Sequence, residues 1–386
     1  MVLTVGGLVV LWPTGDSPSL GGSDVRQYKA TVTEVEDRTC GPDVPENFVC
    51  SSVTVVVDSG PDTGEEVSFD TAEAPGTRRL RSSDKILLTR SGDAEGESTY
   101  FFADYQRSVP LIWLGVMFAL LVVVLSRWRG LAALVGLAFS LLLLVKFILP
   151  GILQGQSPVM VSIIGSAAIM FVTLYLAHGL NVRTTSAVIG TLLSLSLTGL
   201  LAAFFVAASR FTGLGSEEAT FLQISAQQVN LEGLILGGVI IGSLGVLDDV
   251  TVTQASAVWE IHRANPLYGP RALYASALRI GRDHIASTVN TLVLAYAGAS
   301  LPLLILFALS SRPLGQLVAT EIVAEEVVRT LVGSIGLIAS VPITTFLTSL
   351  VVARDVPRRR PRAAGATPPS HEEDFTPPKR ETEWRL

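Results

Sequence analysis

The length of its uninterrupted apolar runs constrains this chain more than any other feature. A helix needs about 20 mostly apolar residues to cross roughly 30 Å of hydrocarbon. Seven segments meet that requirement: residues 109–126, 131–149, 158–178, 184–208, 231–250, 285–309 and 327–352. A soluble helical core would show polar stripes at helical spacing, whereas these runs are apolar on nearly every side. Trp113, Trp128 and Tyr175 fall near segment edges, where an interfacial aromatic belt would place them. Only 16% of the 386 residues are charged, against about 25% in a soluble chain. The expected class is a polytopic α-helical membrane protein, with residues 109–353 forming the transmembrane domain and the lipid bilayer as its main partner.

Arginine placement sets an orientation. If the first of the seven helices runs from outside to inside, the inner loops hold Arg127, Arg129, Arg183, Arg263, Arg271, Arg279 and Arg282. The outer loops then hold only Arg210 and Arg312. This is the asymmetry of the positive-inside rule. The tail, residues 354–386, is poor in large apolar residues and is expected to be disordered and cytoplasmic. Its cluster from Arg358 to Arg362 suits anionic lipid or a plain topology signal. Residues 1–12 are apolar but rise only about 18 Å as a helix. They lack the features of a signal peptide, so they are expected to be the back half of a truncated eighth helix.

Residues 24–107 read as a small extracytoplasmic β domain. Runs rich in β-formers occur at 28–35, 53–58, 66–70, 85–89 and 100–105, separated by Gly, Pro, Asp and Ser clusters. Five short strands in that length suggest a barrel-like domain of the OB or SH3 kind. Cys40 and Cys50, the two cysteines of the chain, both lie between the first two strands. Their spacing excludes a CxxC redox pair, and an outward-facing domain is oxidising territory, so a loop-closing disulfide is expected.

Ionisable groups inside spanning segments are costly and are functional suspects by default. Gly238, Gly242, Gly245, Asp249, Thr253, Ser256 and Glu260 follow steps of three and four, which places them on one helix face. The glycines there suit close helix packing. Asp248 and Asp249 lie about 26 Å along a helix that starts at Leu231, and the whole periodic segment would rise about 48 Å. Such a helix either projects beyond the bilayer or breaks near Gly245 and enters a cavity. The aspartates are then either an inward-opening ion or substrate site or merely interfacial. A second cluster holds Arg279, Arg282, Asp283 and His284, then Ser287 and Asn290. Asp283, Ser287 and Asn290 share a face expected to point into the bundle, and Arg279 or Arg282 is expected to pair with Asp248 or Asp249. His178 and His284 read as interfacial, and Lys146 as a side chain snorkelling outward. Two amphipathic stretches, one opened by Ser216-Glu217-Glu218 and one at 319–328 with Glu321, Glu325 and Glu326, each precede a Gly-rich membrane helix, the pattern of a weak internal repeat.

Three stretches carry a resemblance to a known family. They are Gly242-Ser-Leu-Gly-Val-Leu-Asp-Asp-Val250 with Trp259-Glu260-Ile261; Gly281-Arg-Asp-His284 with Asn290-Thr-Leu-Val-Leu-Ala-Tyr296; and Glu325-Glu326-Val-Val-Arg329 through Gly333-Ser-Ile-Gly336. As a set they resemble the YibE/F family of bacterial multi-pass membrane proteins. The resemblance implies a protein of the cytoplasmic (inner) membrane, often described as a predicted permease.

The leading expectation is a permease for an ion or small solute, with Asp248, Asp249, Thr253, Ser256, Glu260, Arg282, Asp283 and Asn290 as candidate site residues. The competing one is a non-transporting sensor or assembly scaffold that binds a partner through the β domain. An intramembrane aspartyl protease built on Asp249 and Asp283 ranks third, because the surroundings of Asp248 lack the GxGD pattern; an enzyme is not expected. No phosphate-binding, dinucleotide or HExxH motif occurs, so no cofactor or metal is expected. The net charge of −6 brings no basic face for nucleic acid.

Overall fold

A computed structural model describes residues 1–15, 26–42, 44–92 and 98–354. The expectations for the tail beyond Arg354 lie outside the described residues.

The N-terminal domain is a five-stranded antiparallel sheet: β1 (Gln27–Arg38), β2 (Val49–Val57), β3 (Glu66–Glu73), β4 (Lys85–Gly92) and β5 (Ser98–Tyr105). The strand order is β3-β2-β1-β4-β5. β1 is long enough to serve both halves, pairing with β2 over Ala30–Arg38 and with β4 over Gln27–Thr31. A bulge between Val32 and Glu34 bends it. That bend curls the sheet into a half-barrel, bringing the edge strands β3 and β5 towards each other. Alternation then does the sorting. Ala30, Val32, Val53, Val55, Val57, Ile86 and Leu88 fill the interior, while Thr31, Thr33 and Thr54 face out. Tyr100 closes the core, and its hydroxyl donates to Asp62 in the β2–β3 turn, which Arg90 also approaches at 3.5 Å. Cys40 and Cys50 are joined by a disulfide that closes the β1–β2 loop.

The rest is helical. A short helix α1 (Val2–Val10) lies along α4 (Pro158–His178), with Gly7 against Ile164. Residues Ser108–Leu153 comprise α2 (Ser108–Leu143), a π-helical turn over Leu144–Ile148, and α3 (Leu149–Leu153). The π turn precedes Pro150, which has no N–H to donate to the turn before it. As one straight rod these 46 residues would reach about 69 Å. They are not one rod. Arg127 has φ 52° and ψ −130°, and a side chain at Gly130 would strike the carbonyl of Val122, eight residues back. In a continuous helix those positions are about 12 Å apart.

Four polar caps start the helices that follow. Ser157 precedes α4, Asn181 precedes α5 (Val182–Ser209), Ser216 precedes α6 (Glu217–Ser225) and Asn230 precedes α7 (Leu231–Ala264). Each accepts a backbone N–H of the first turn with its side-chain oxygen. The chain continues through α8 (Pro270–Ala299), α9 (Leu301–Leu309), α10 (Leu314–Val318) and α11 (Glu321–Arg354). Among the described residues five helical stretches are long and apolar enough to cross a membrane. They become six if α8 and α9, bent by 67°, count as one span.

Small residues set the packing. On α5 and α11, Gly190 receives Thr344 and Gly336 receives Thr198, an antiparallel interlock in which each helix lends the other one glycine and one threonine. Gly233 and Gly237 of α7 pack on Pro158 and Ser162 of α4, so those two helices run parallel. Gly333 faces Ser243 and Thr345 bonds Gln254, so α11 runs parallel to α7 as well. Glu321 ties the far end together, accepting the backbone N–H groups of Thr212 and Gly213 at 2.6 and 2.7 Å. Large apolar side chains cover the outside of the helices: Leu125, Trp128 and Leu200 are all more than two-thirds exposed. A continuous apolar exterior of this kind belongs in lipid.

Candidate functional site

The directions above bring Arg127, Arg129, His178, Arg183 and Arg263 to one end of the bundle. Near that end, α2, α4 and α7 diverge around a cavity of about 320 Å³. Gly136 and Thr173 are in contact on its α2–α4 side, and His178 stands at the end of α4. From α7 come Asp248, Asp249, Val252 and Thr253. The helical period explains the grouping. Asp249 and Thr253 are one turn apart on the open face of α7, and Asp248 sits at the edge between that face and the buried one.

Asp248 is the unusual member. Its Oδ1 is shut off from solvent and has no hydrogen-bond partner. The Thr191 hydroxyl of α5 lies beside its carboxyl. Thr191 is itself bonded to Thr251 at 2.7 Å, and Thr251 donates back to the Asp248 carbonyl at 3.2 Å. An orphaned carboxylate oxygen is costly to bury, and a bound cation or proton removes that cost. Two carboxylates, two threonine hydroxyls and an imidazole give an oxygen-rich lining that suits a hard cation, a protonated amine or a proton. Among the described residues no three His, Cys, Asp or Glu side chains group as a metal site.

The glycine–aspartate stripe occupies one face of α7, as its spacing requires, but that face is the open one. Gly238, Gly242, Asp249, Thr253 and Glu260 are exposed, and Ser256 is half-buried. Among the described residues nothing lies within 4 Å of a side chain built at Gly245, and at Gly242 the near group is the Tyr296 hydroxyl. Gly190, Gly233, Gly237, Gly281 and Gly336 are among the glycines that seat a neighbouring helix, whereas Gly238, Gly242 and Gly245 are not. α7 is also unbroken at Gly245, running as one helix from Leu231 to Ala264.

Asp283, Ser287 and Asn290 share a face, but an exposed one, and Arg282 is exposed beside them. The buried face of α8 is Leu273, Ala277 and Gly281. At Gly281 the missing side chain admits Gln254 and Val341, and this contact turns the polar face away from the bundle. Arg279 reaches Ser276, and neither it nor Arg282 forms an ion pair with Asp248 or Asp249 among the described residues. Glu260 pairs with Arg263 at 3.1 Å on the surface.

The pattern along α7 did not reveal Thr173, His178 or Thr191, which come from other helices. It also missed Gln254, a buried amide donating to the Ala277 carbonyl at 2.8 Å and to Thr345 at 2.7 Å. The signal for Gln254 was present, since an amide in an apolar spanning run needs an internal partner.

A family model described as YibE/F-like protein matches residues 114–354, well over half of the chain and the entire helical bundle beyond the start of α2. The chain belongs to the YibE/F-like family. The matched region holds every lining residue of the Asp248 cavity, whereas the half-barrel lies outside it. No curated protein and no solved structure matches this YibE/F-like chain.

Proposed function

We propose that this protein is a permease that moves an ion or small solute through the cavity at Asp248. The carrying observation is the partnerless Oδ1 of Asp248, buried beside a hydroxyl-rich hollow at the divergence of three helices. Asp249 and Thr253 complete the entrance, and His178 supplies a second proton-exchanging group across it. In this reading the break at Arg127 makes Ser108–Leu153 two crossings, and α8 with α9 makes one, giving seven. The chain sits in the bacterial cytoplasmic membrane with the half-barrel outside and the cavity opening inward, an orientation favoured by the arginines gathered at the cavity end. The half-barrel takes the OB-type topology, with the bulged β1 shared between both halves.

The test is flux of protons, monovalent cations and small amines into proteoliposomes. Asp248→Asn is expected to abolish the flux that wild type supports, and Asp249→Asn to reduce it, with both variants eluting as folded protein. If both retain wild-type flux, the cavity is not the transport site. Loss of function only on removing the half-barrel would favour the scaffold instead.

A further inference from the structure

The cavity end of the bundle carries a second hollow of opposite character. A space of about 400 Å³ lies between the start of α5 and the last turns of α7, lined by Asn181, Val182, Arg183, Trp259 and Arg263. Its polar groups are almost all donors. Asn181 is occupied as the cap of α5: its Oδ1 accepts the Thr184 N–H at 2.9 Å, and its Nδ2 donates to the His178 carbonyl at 2.8 Å. That leaves the backbone N–H groups of Val182 and Arg183, the first two of a 28-residue helix, without partners inside the helix. The positive end of the helix dipole stands behind them.

The side chains add to this field. Arg183 forms no ion pair among the described residues. Arg263 spends one guanidinium nitrogen on Glu260 at 3.1 Å, leaving its other N–H groups. Trp259 forms a wall, and its indole N–H is sealed from solvent with no acceptor. The ring of Trp259 thus borders the same hollow as two guanidinium groups and a helix N-terminus. Such a set calls for one ligand with several acceptor oxygens and negative charge.

We propose that this hollow is a binding site for a phosphate group, carried by a phospholipid headgroup or by a soluble phosphate. Guanidinium forks and helix N-termini are matched to phosphate oxygens. The depth fits a headgroup: Trp259 lies about 42 Å along α7 from Leu231, past the roughly 30 Å of hydrocarbon. The site is independent of the transport reading, because its charge is opposite to that of the Asp248 cavity and the two share no lining residue.

The experiment uses the full chain in a neutral maltoside detergent. Trp259 fluorescence, taken as the difference between wild type and Trp259→Phe, is followed during titration with short-chain phosphatidylglycerol and, separately, inorganic phosphate. A saturable change is expected that Arg183→Gln and Arg263→Gln each weaken about tenfold, with Arg183→Lys in between because it keeps charge but loses the fork. Asp248→Asn should leave it untouched. Saturation by phosphatidylglycerol alone assigns the headgroup; saturation by inorganic phosphate assigns the soluble anion. The proposal is overturned if neither probe saturates, or if the midpoints are unchanged in both glutamine variants. Arg263 is 67% exposed, so its variant keeps the test valid should Arg183→Gln fail to fold.

Discussion

The α5–α11 interlock makes a quantitative prediction. A side chain at Gly336 would overlap the Thr198 hydroxyl and lie 3.1 Å from Thr198 Cβ and 3.4 Å from its Cγ2. Thr198 is fully buried, so it has no open space to enter. Gly336→Ala is therefore overpacking, with an expected cost of about 1–3 kcal/mol. Thr198→Ala alone removes a hydroxyl bonded to the Ser194 carbonyl at 2.8 Å, worth about 0.5–1.5 kcal/mol. Together the substitutions relieve each other, because Ala at 198 lacks both the hydroxyl and the Cγ2. Only the contact to its Cβ remains tight. The double variant should then be less destabilised than the two single costs combined, with a coupling of about 1–2 kcal/mol. Unfolding free energies from steric trapping of the full chain in micelles would measure it. Additivity within about 0.5 kcal/mol would refute the interlock, and Gly190 with Thr344 offers an independent repeat of the same cycle.

Three further outcomes follow from the described contacts. Replacing Cys40 and Cys50 by Ala frees a loop with a sequence separation of 10; the chain-entropy estimate is a loss of about 3 kcal/mol, read as faster proteolysis of the half-barrel, and an unchanged rate would count against it. Burial first, then the bond to Asp62, pushes the Tyr100 hydroxyl up to about 12. The unfolded chain ionises near pH 10, so the stability tied to this proton is complete below about pH 10 and is lost as pH rises towards 12. Tyr100→Phe should flatten that window in thermal unfolding, and a wild-type curve already flat there would remove the effect. Gln254→Leu removes two buried hydrogen bonds, to the Ala277 carbonyl and the Thr345 hydroxyl, at an expected cost of about 1–3 kcal/mol in total; unfolding free energy within error of wild type would mean that the amide is not needed.

Sequence periodicity exposed which residues of α7 share a face, because 3.6 residues per turn is a property of one helix alone. It did not show which side that face takes. The outcome is decided by partners elsewhere in the chain: α4, α5, α8 and α11 cover the side bearing Gly237, Leu247 and Gln254, and the stripe from Gly238 to Thr253 is left open. On α8 the shared face of Asp283 and Asn290 is likewise legible from spacing, but its side is set by Gly281, which provides the docking face. The five strands were legible, since alternation has period two and the turns are rich in Gly, Pro, Asp and Ser. Their order was not, because it depends on the bulge at Val32–Glu34. The sequence puts His178 at a helix end, but the aspartates that share its cavity, Asp248 and Asp249, are about 70 residues away along the chain, a distance no local pattern spans.

The passage from sheet to membrane is very short. β5 ends at Tyr105 and α2 starts at Ser108, leaving Gln106 and Arg107 between them. Arg107 is itself held, paired with Asp104 at 2.5 Å and stacked over the Tyr105 ring. Two residues extend at most about 7 Å. The half-barrel is therefore on a leash rather than a tether, held within a few ångströms of the start of α2. A twist or tilt of α2 also passes into β5 with little slack to absorb it, so strain applied at one end of this joint is felt at the other.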